Sequence, residues 1–290
     1  MAGFGTDVTS VNVSHAQSRL VVATSLNNVF IARLPEPSVN GGMHWHRYPH
    51  STMQYITPDH ADTTFWCSAT PPPGGRDTFL VGGSLPLDYE RNKHFGRASI
   101  LDADGRIVQR YKTSGDVRTV DWLDPNIAIL GTTRGHVMLA DSRIEGTSLR
   151  FRHPGLVTGL RSLGDSNSIL ACGPGMMKIY DVRMPYQKSR EPSKAALSIP
   201  VPATDPLTSF DVWTPGQLLA FRGDDNAVRV HSLVDGKHVR TLTANQLTVT
   251  GERAPRIKRL RWSENLRGNL RLLSCEGTRI YDWMHEYEDE

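Results

Sequence analysis

ILGTTRGHVMLADSR, at residues 129 to 143, is followed forty residues later and without a gap by ILACGPGMMKIYDVR, at residues 169 to 183. Both stretches end in Asp-x-Arg. The register continues upstream, where Val117 and Val120 precede Val157 and Leu160 by the same interval. A period near forty residues that is built from short strands predicts the blades of a β-propeller.

The repeat extends over nearly the whole chain as six units of short strands. Strand A of a unit has the pattern apolar-x-x-apolar-x-apolar. Strand B ends in small residues, which let neighbouring blades approach each other. Asp104-Gly105 and Asp235-Gly236 are hairpin dipeptides between strands C and D. We predict one all-β propeller domain over residues 1–285, followed by an acidic tail at residues 286–290. Its approximate blades are residues 5–48, 63–113, 116–154, 156–201, 207–244 and 257–285.

The sequence leaves the number of blades open between six and seven. The last unit has too few residues after Trp283 for a full fourth strand, and an unpaired edge strand invites aggregation. A seventh blade could be missing or degenerate. The strand-like segment TMQYIT, at residues 52 to 57, could be part of it.

Cysteine usage and composition indicate the compartment. Cys67, Cys172 and Cys275 fall in different repeats, and the first residues, MAGFGTDVTS, lack the features of a secretion signal. No apolar run is long enough to span a membrane. We therefore expect reduced cysteines and a cytoplasmic or nuclear protein. The net charge is only +3, so no overall field indicates a nucleic-acid partner.

Residues at the ends of these units resemble those of the WD-repeat (WD40) family. Blades of that family end strand C with Trp-Asp, place a histidine before strand A and an aspartate in the turn between strands B and C. The resemblance implies a WD40-type propeller in which the matching residues are structural. They are His153, Tyr180, Asp225, Tyr281 and Asp282.

The two Asp-x-Arg endings resemble those of the WD-repeat substrate receptors of cullin-4 ubiquitin ligases. In those receptors a Trp-Asp-x-Arg ending, often in two consecutive blades, faces the damaged-DNA-binding adaptor. The order of HPGLVTGLR at 153–161, Arg183-Met184 and AVRVHSLVDGKHVRTL at 227–242 is also similar to one branch of them. The resemblance implies that the adaptor-binding residues are Asp141, Arg143, Asp181 and Arg183.

Arginine suits such docking because its planar fork can pair bidentately with carboxylates or carbonyls. Ala140 and Tyr180 stand where the family prefers tryptophan, so the second ending is the better match. The alternative is structural: each aspartate orients a turn and each arginine forms an inter-strand ion pair that contributes little. The protein would then be a scaffold in another complex, such as one in chromatin, ribosome maturation or trafficking.

A histidine group offers a weaker alternative site. His44, His46 and His50 include a His-x-His spacing that can bind zinc, with His60 or Cys67 as a third ligand. A polar strand face accounts for the same residues, and we predict no metal.

The basic run from Arg253 to Arg271 could contact phosphate. Alternation along a strand would split its charges between two faces, so we expect a solvated rim. The chain contains no G-x-G-x-x-G, P-loop, G-x-S-x-G or H-E-x-x-H motif. We therefore predict a binding protein with protein partners and without a cofactor, and not an enzyme.

Overall fold

The all-β propeller prediction is confirmed by the arrangement of the strands. The computed structural model describes residues 8–13, 20–25, 28–33, 53–56, 64–72, 74–75, 78–86, 95–184, 191–201, 209–223, 225, 227–243, 259–264, 270–276 and 279–284. These described residues form strands and no helix. The strands pair in six sheets of the propeller-blade type, and neighbours in each sheet are consecutive in the chain. We number the sheets as blades 1 to 6.

The first three blades have four strands each. Blade 1 contains β1 (Val8–Val13), β2 (Leu20–Ser25), β3 (Val29–Arg33) and β4 (Met53–Ile56). Blade 2 contains β5 (Thr64–Ala69), β6 (Thr78–Ser84), β7 (Phe95–Asp102) and β8 (Ile107–Ser114). Blade 3 contains β9 (Val117–Trp122), β10 (Ile127–Thr132), β11 (His136–Asp141) and β12 (Ser148–Arg152).

The remaining blades continue the pattern. Blade 4 contains β13 (Gly159–Ser162), β14 (Ser168–Gly173), β15 (Met176–Asp181) and β16 (Leu197–Pro200). Blade 5 contains β17 (Phe210–Trp213), β18 (Leu218–Arg222), β19 (Val228–Ser232) and β20 (His238–Leu242). Blade 6, among the described residues, contains β21 (Arg259–Glu264), β22 (Leu270–Glu276) and β23 (Arg279–Met284).

The segment TMQYIT belongs to blade 1 and not to a seventh blade. Its strand, Met53–Ile56, pairs antiparallel with β3, where Val29 lies opposite Ile56. The first blade therefore extends beyond the expected residue 48. A long connection separates the two strands along the chain, which is why the sequence pattern did not join them.

Burial differs between the inner and outer strands of a blade. Residues 128–132 of β10 are all buried, because a strand that packs against neighbours on both faces needs apolar side chains throughout. Four of the five residues of the outer strand β20 are exposed. The core that joins blades 2 and 3 includes Leu80, Ile100, Val120 and Leu130.

Small residues at the end of strand B permit the close approach of neighbouring blades, as predicted. A Cβ atom on Gly82 would lie 2.6 Å from Cγ1 of Val117 in the next blade. A Cβ atom on Gly131 would lie 2.7 Å from Cγ1 of Val157. Carbon atoms do not approach this closely, so glycine is required at both positions.

The two predicted hairpin dipeptides adopt the conformation that glycine permits. Gly105 has φ of 78° and Gly236 has φ of 73°. The Gly105 amide donates to the carbonyl of Asp102 at 2.9 Å and closes the turn between β7 and β8. Both positions therefore require a residue that tolerates positive φ.

The chain divides into two compact units, and the single domain over residues 1–285 remains a prediction. One unit comprises residues 1–171 and 180–194, and the other comprises residues 172–179 and 195–290. The acidic tail at residues 286–290 lies outside the described residues. Within the described ranges, no helical segment has the length and apolar character needed to cross a membrane.

Candidate functional site

The two Asp-x-Arg sequences form matching turns where strand C ends in blades 3 and 4. Asp141 is the last residue of β11, and Asp181 is the last residue of β15. In each case the aspartate Oδ1 accepts the backbone N–H of the arginine two residues later, at 2.9 Å in both turns. We call residues 141–144 and 181–184 the Asp-x-Arg turns.

Each arginine folds back onto the aspartate of its own turn. Nε of Arg143 donates to Oδ1 of Asp141 at 2.9 Å, and Nη2 donates to Oδ2 at 2.7 Å. Arg183 makes the same two bonds to Asp181 at the same two distances. The ion pair therefore lies within the turn, and the inter-strand pair of the structural alternative is not formed.

These ion pairs lower the pKa of both aspartates to about 2. The main cause is the hydrogen bond from the arginine side chain, and the second is the bond from the arginine backbone N–H. Because the pKa is lowered in the folded chain, the stabilisation is present above pH 3.8. It is lost as the pH falls through about 2.

A second turn of the same blade supports each Asp-x-Arg turn. The N–H of Ser142 donates to the carbonyl of Asn126 at 2.8 Å, and the N–H of Val182 donates to that of Asn167 at 2.7 Å. Both asparagines lie in an Asp-x-Asn turn between strands A and B. In each of these turns, Oδ1 of the aspartate accepts the backbone N–H of the asparagine, at 2.7 Å in blade 3 and 2.9 Å in blade 4.

The outer strand of the preceding blade also holds each turn. The hydroxyl of Tyr111, on β8, donates to the carbonyl of Asp141 at 3.1 Å. Nε of Arg150, on β12, donates to the carbonyl of Val182 at 2.8 Å. Burial raises the pKa of Tyr111 to about 12, so its hydroxyl remains a donor at physiological pH.

An exposed apolar residue follows the arginine in both turns. The side chains of Arg143 and Arg183 are 61% and 71% exposed. Ile144 is 62% exposed and Met184 is 51% exposed. Each turn thus presents a fixed guanidinium beside an apolar side chain.

Blades 2 and 5 form similar turns without the ion pair. In blade 2, Oδ1 of Asp102 accepts the N–H of Asp104 at 3.0 Å. In blade 5, Oγ of Ser232 accepts the N–H of Val234 at 3.1 Å. A serine is therefore sufficient to close such a turn, and turn formation alone does not explain the two arginines.

Two of the predicted structural residues meet inside blade 4. Nδ1 of His153 lies 3.2 Å from the hydroxyl of Tyr180, and both residues are buried. The ring of Phe151 stacks on Tyr180 with 4.8 Å between the ring centroids. Burial raises the pKa of Tyr180, so the hydroxyl stays protonated.

The other predicted structural residues lie in blades 5 and 6. Asp225 accepts the N–H of Ala227 at 3.2 Å and pairs with Arg229 at 2.8 Å, as expected of a turn aspartate. Asp282 pairs with Arg271 of the adjacent strand β22. Tyr281 lies in β23, but its side chain is not among those described.

Two aspartates on strand A join neighbouring blades and were missed by sequence reasoning. Oδ2 of Asp121 accepts the N–H of Ser162 at 2.9 Å, and Oδ2 of Asp211 accepts the N–H of Trp262 at 2.9 Å. Each aspartate comes directly before the last apolar residue of the strand A pattern. This shared position in the sequence could have identified both aspartates.

The structure does not test the predicted histidine group or the first part of the basic run. His44, His46, His50, His60 and residues 253–258 lie outside the described residues. Among the residues that the structure describes, no group of three or more His, Cys, Asp or Glu side chains is placed to hold a metal ion.

The lowered pKa of Asp141 can be tested directly. Replacing Arg143 with glutamine is expected to raise the pKa of Asp141 from about 2 towards 3.8, because the main hydrogen bond to the carboxylate is lost. The measurement is a carboxyl-carbon NMR titration. Asp181 is the internal control and should not change. An unchanged pKa of Asp141 would mean that Arg143 does not hold the carboxylate in solution.

No family model matches the chain, and no curated protein matches its sequence. The fold is therefore the evidence for the class of protein. The chain has the blade architecture of a propeller, which is compatible with a protein-interaction scaffold.

Proposed function

We propose that this protein is a WD-repeat substrate receptor that docks on the damaged-DNA-binding adaptor of a cullin-4 ubiquitin ligase. Docking uses the Asp-x-Arg turns of blades 3 and 4. The observation that carries the proposal is the presence, in two consecutive blades, of the same turn with an oriented and exposed arginine. The site of action is the cytoplasm or the nucleus.

The orientation of the two arginines favours binding. In both, Nε and Nη2 are occupied by the aspartate. Among the described residues, Nη1 of Arg143 and of Arg183 has no hydrogen-bond partner and can donate to a carbonyl or carboxylate of a partner. Because the aspartate already restricts the rotamers, little side-chain entropy is lost on binding.

The neighbouring apolar side chains favour a protein partner. Arginine and methionine are enriched in protein interfaces, and an apolar contact beside an arginine is typical of energetic hot spots. Ile144 and Met184 supply that contact in the two turns.

The receptor itself carries out no covalent chemistry. Its contribution is to hold a substrate near the ligase, which raises the effective concentration of the target lysine. The adaptor occupies the turn end of the blades, and other surfaces remain available for the substrate.

The test is co-precipitation of the purified protein with the purified adaptor. The test variant combines Asp141→Ser, Arg143→Val, Asp181→Ser and Arg183→Val, which copies Ser232 and Val234 at the matching positions of blade 5. We expect wild type to bind and the variant to bind at least about thirtyfold more weakly, since an arginine hot spot contributes about 2 kcal/mol.

The control variant is Arg106→Val, which removes an exposed arginine from the same end of blade 2. It should bind the adaptor as wild type does. Thermal unfolding must be the same for all three proteins. Failure of wild type to bind, or equal binding by the four-residue variant, would refute the proposed function.

A scaffold role in another complex is the second candidate. It is favoured by the closure of each arginine on its own aspartate, which gives both residues a structural role. In that case affinity purification from native cells recovers a defined assembly without the adaptor. The same assembly should be recovered with the four-residue variant.

A further inference from the structure

A group of basic side chains lies at the opposite end of the strands that carry the Asp-x-Arg turn of blade 3. His136 and Asp141 are the first and last residues of β11, which places them about 17 Å apart. His136 lies directly opposite Arg152 of β12 in the strand register. Arg134 is in the short turn that precedes β11.

These three side chains share one environment. Cγ of Arg134 packs over Gly115, where an added Cβ would lie only 2.9 Å away. Nδ1 of His136 lies 3.2 Å from Oγ of Ser114. The pKa of His136 is lowered by burial first and then by the positive charges of Arg152 and Arg134.

Blade 2 repeats the arrangement at the equivalent position. Arg97 of β7 lies directly opposite Lys112 of β8, so two like charges are cross-strand neighbours. The pKa of Arg97 is lowered by burial first and then by Arg110. The ammonium of Lys112 lies 4.1 Å from the ring centroid of Phe95. Like charges placed opposite each other destabilise a sheet, so fold stability does not account for the Arg97–Lys112 pair.

These basic side chains form no ion pair within the described ranges. The five side chains in question are Arg97, Lys112, Arg134, His136 and Arg152, which we call the basic edge. No ion pair to a described residue involves any of them. Nη1 of Arg97 and Nε of Arg152 are buried, and neither has a hydrogen-bond acceptor among the described residues. An unsatisfied buried donor of this kind calls for a partner, such as an ordered water or an anion.

We propose that the basic edge of blades 2 and 3 binds an acidic peptide segment of a protein partner, through aspartate and glutamate carboxylates. The inference deepens the proposed function, because it assigns the class of substrate to the end of the blades opposite the adaptor. The planar fork of arginine matches a carboxylate. An anionic segment would also relieve the repulsion between Arg97 and Lys112.

A peptide fits better than single-stranded nucleic acid. Proteins that bind single strands stack bases on exposed aromatic rings. Among the aromatic side chains whose burial the structure describes, none is exposed, and Phe95 is covered by Lys112. The net charge of +3 also provides little general attraction for a phosphate backbone.

The test is fluorescence anisotropy at low salt with the full chain. The probe is a fluorescein-labelled peptide with a run of glutamates between Gly-Ser flanks, and a peptide with glutamine in place of glutamate is the reference. Wild type should bind the glutamate peptide and not the glutamine peptide. The variant Lys112→Gln/Arg134→Gln/Arg152→Gln should bind it at least about tenfold more weakly.

A matched variant removes the same charge from the other end of the blades: Arg106→Gln/Arg143→Gln/Arg183→Gln. It should keep the peptide affinity of wild type. The proposal is overturned if both triple variants bind alike, if wild type does not bind, or if an oligothymidine probe binds more tightly than the peptide. The basic-edge variant should still co-precipitate with the adaptor, so this inference and the proposed function fail separately.

Discussion

Replacement of Tyr180 with alanine is expected to lower the free energy of unfolding by about 4 kcal/mol, the range observed for deletion of a large buried aromatic ring. The side chain is fully buried inside blade 4. Its removal leaves a cavity next to Phe151 and removes the stacking contact at 4.8 Å. It also removes the hydroxyl that lies 3.2 Å from Nδ1 of His153.

The variant Tyr180→Phe separates packing from hydrogen bonding. It keeps the ring on Phe151 and loses only the hydroxyl, so we expect a cost of about 1 kcal/mol. Both values can be measured by urea unfolding followed by tryptophan fluorescence. If Tyr180→Ala costs no more than Tyr180→Phe, the stacked ring does not support blade 4, and this assignment is wrong.

The blades could be predicted because their cause is local and periodic. Strands A and B must bury both faces between neighbouring blades, so Val120, Leu130 and Leu160 recur as apolar residues in register. The predicted hairpins at Gly105 and Gly236 were also local, since each dipeptide encodes its own turn. Tyr180 and His153 could be proposed as structural residues because of the family resemblance.

Contacts that depend on distant pairing could not be predicted. The Tyr111 hydroxyl that donates to the carbonyl of Asp141 comes from a strand of another blade, thirty residues earlier in the chain. The basic edge depends on strand register, because Arg97 and Lys112 are neighbours only when β7 and β8 pair.

One part of the repeat was hidden by a single extra residue. Asp124 and Asp165 hold equivalent turns, but they are forty-one residues apart and not forty. The turn between Leu163 and Ser168 is one residue longer than that between Leu123 and Ile127. A search at a constant period therefore misses the second turn, which supports the candidate site.

Replacement of Gly131 with valine is expected to destabilise the protein by about 3 kcal/mol, at the upper end of overpacking costs. The new Cβ would lie 2.6 Å from Cγ2 of Thr119 and 2.7 Å from Cγ1 of Val157. Neither neighbour can withdraw easily, because Val157 and Thr119 are buried between blades 3 and 4. Gly131→Ala should cost about 2 kcal/mol, since its Cβ makes the same contacts without the further methyl groups.

A double-mutant cycle with Thr119→Ser tests whether this contact is the cause. Serine removes the Cγ2 methyl but keeps the hydroxyl, which accepts the N–H of Leu160 at 3.1 Å. The penalty of Gly131→Ala should therefore fall by about 1 kcal/mol in the Thr119→Ser background. Chemical unfolding of the four proteins gives the coupling. Strictly additive costs would mean that the approach of blades 3 and 4 is not limited by this contact, because relief of a steric clash must appear as non-additivity.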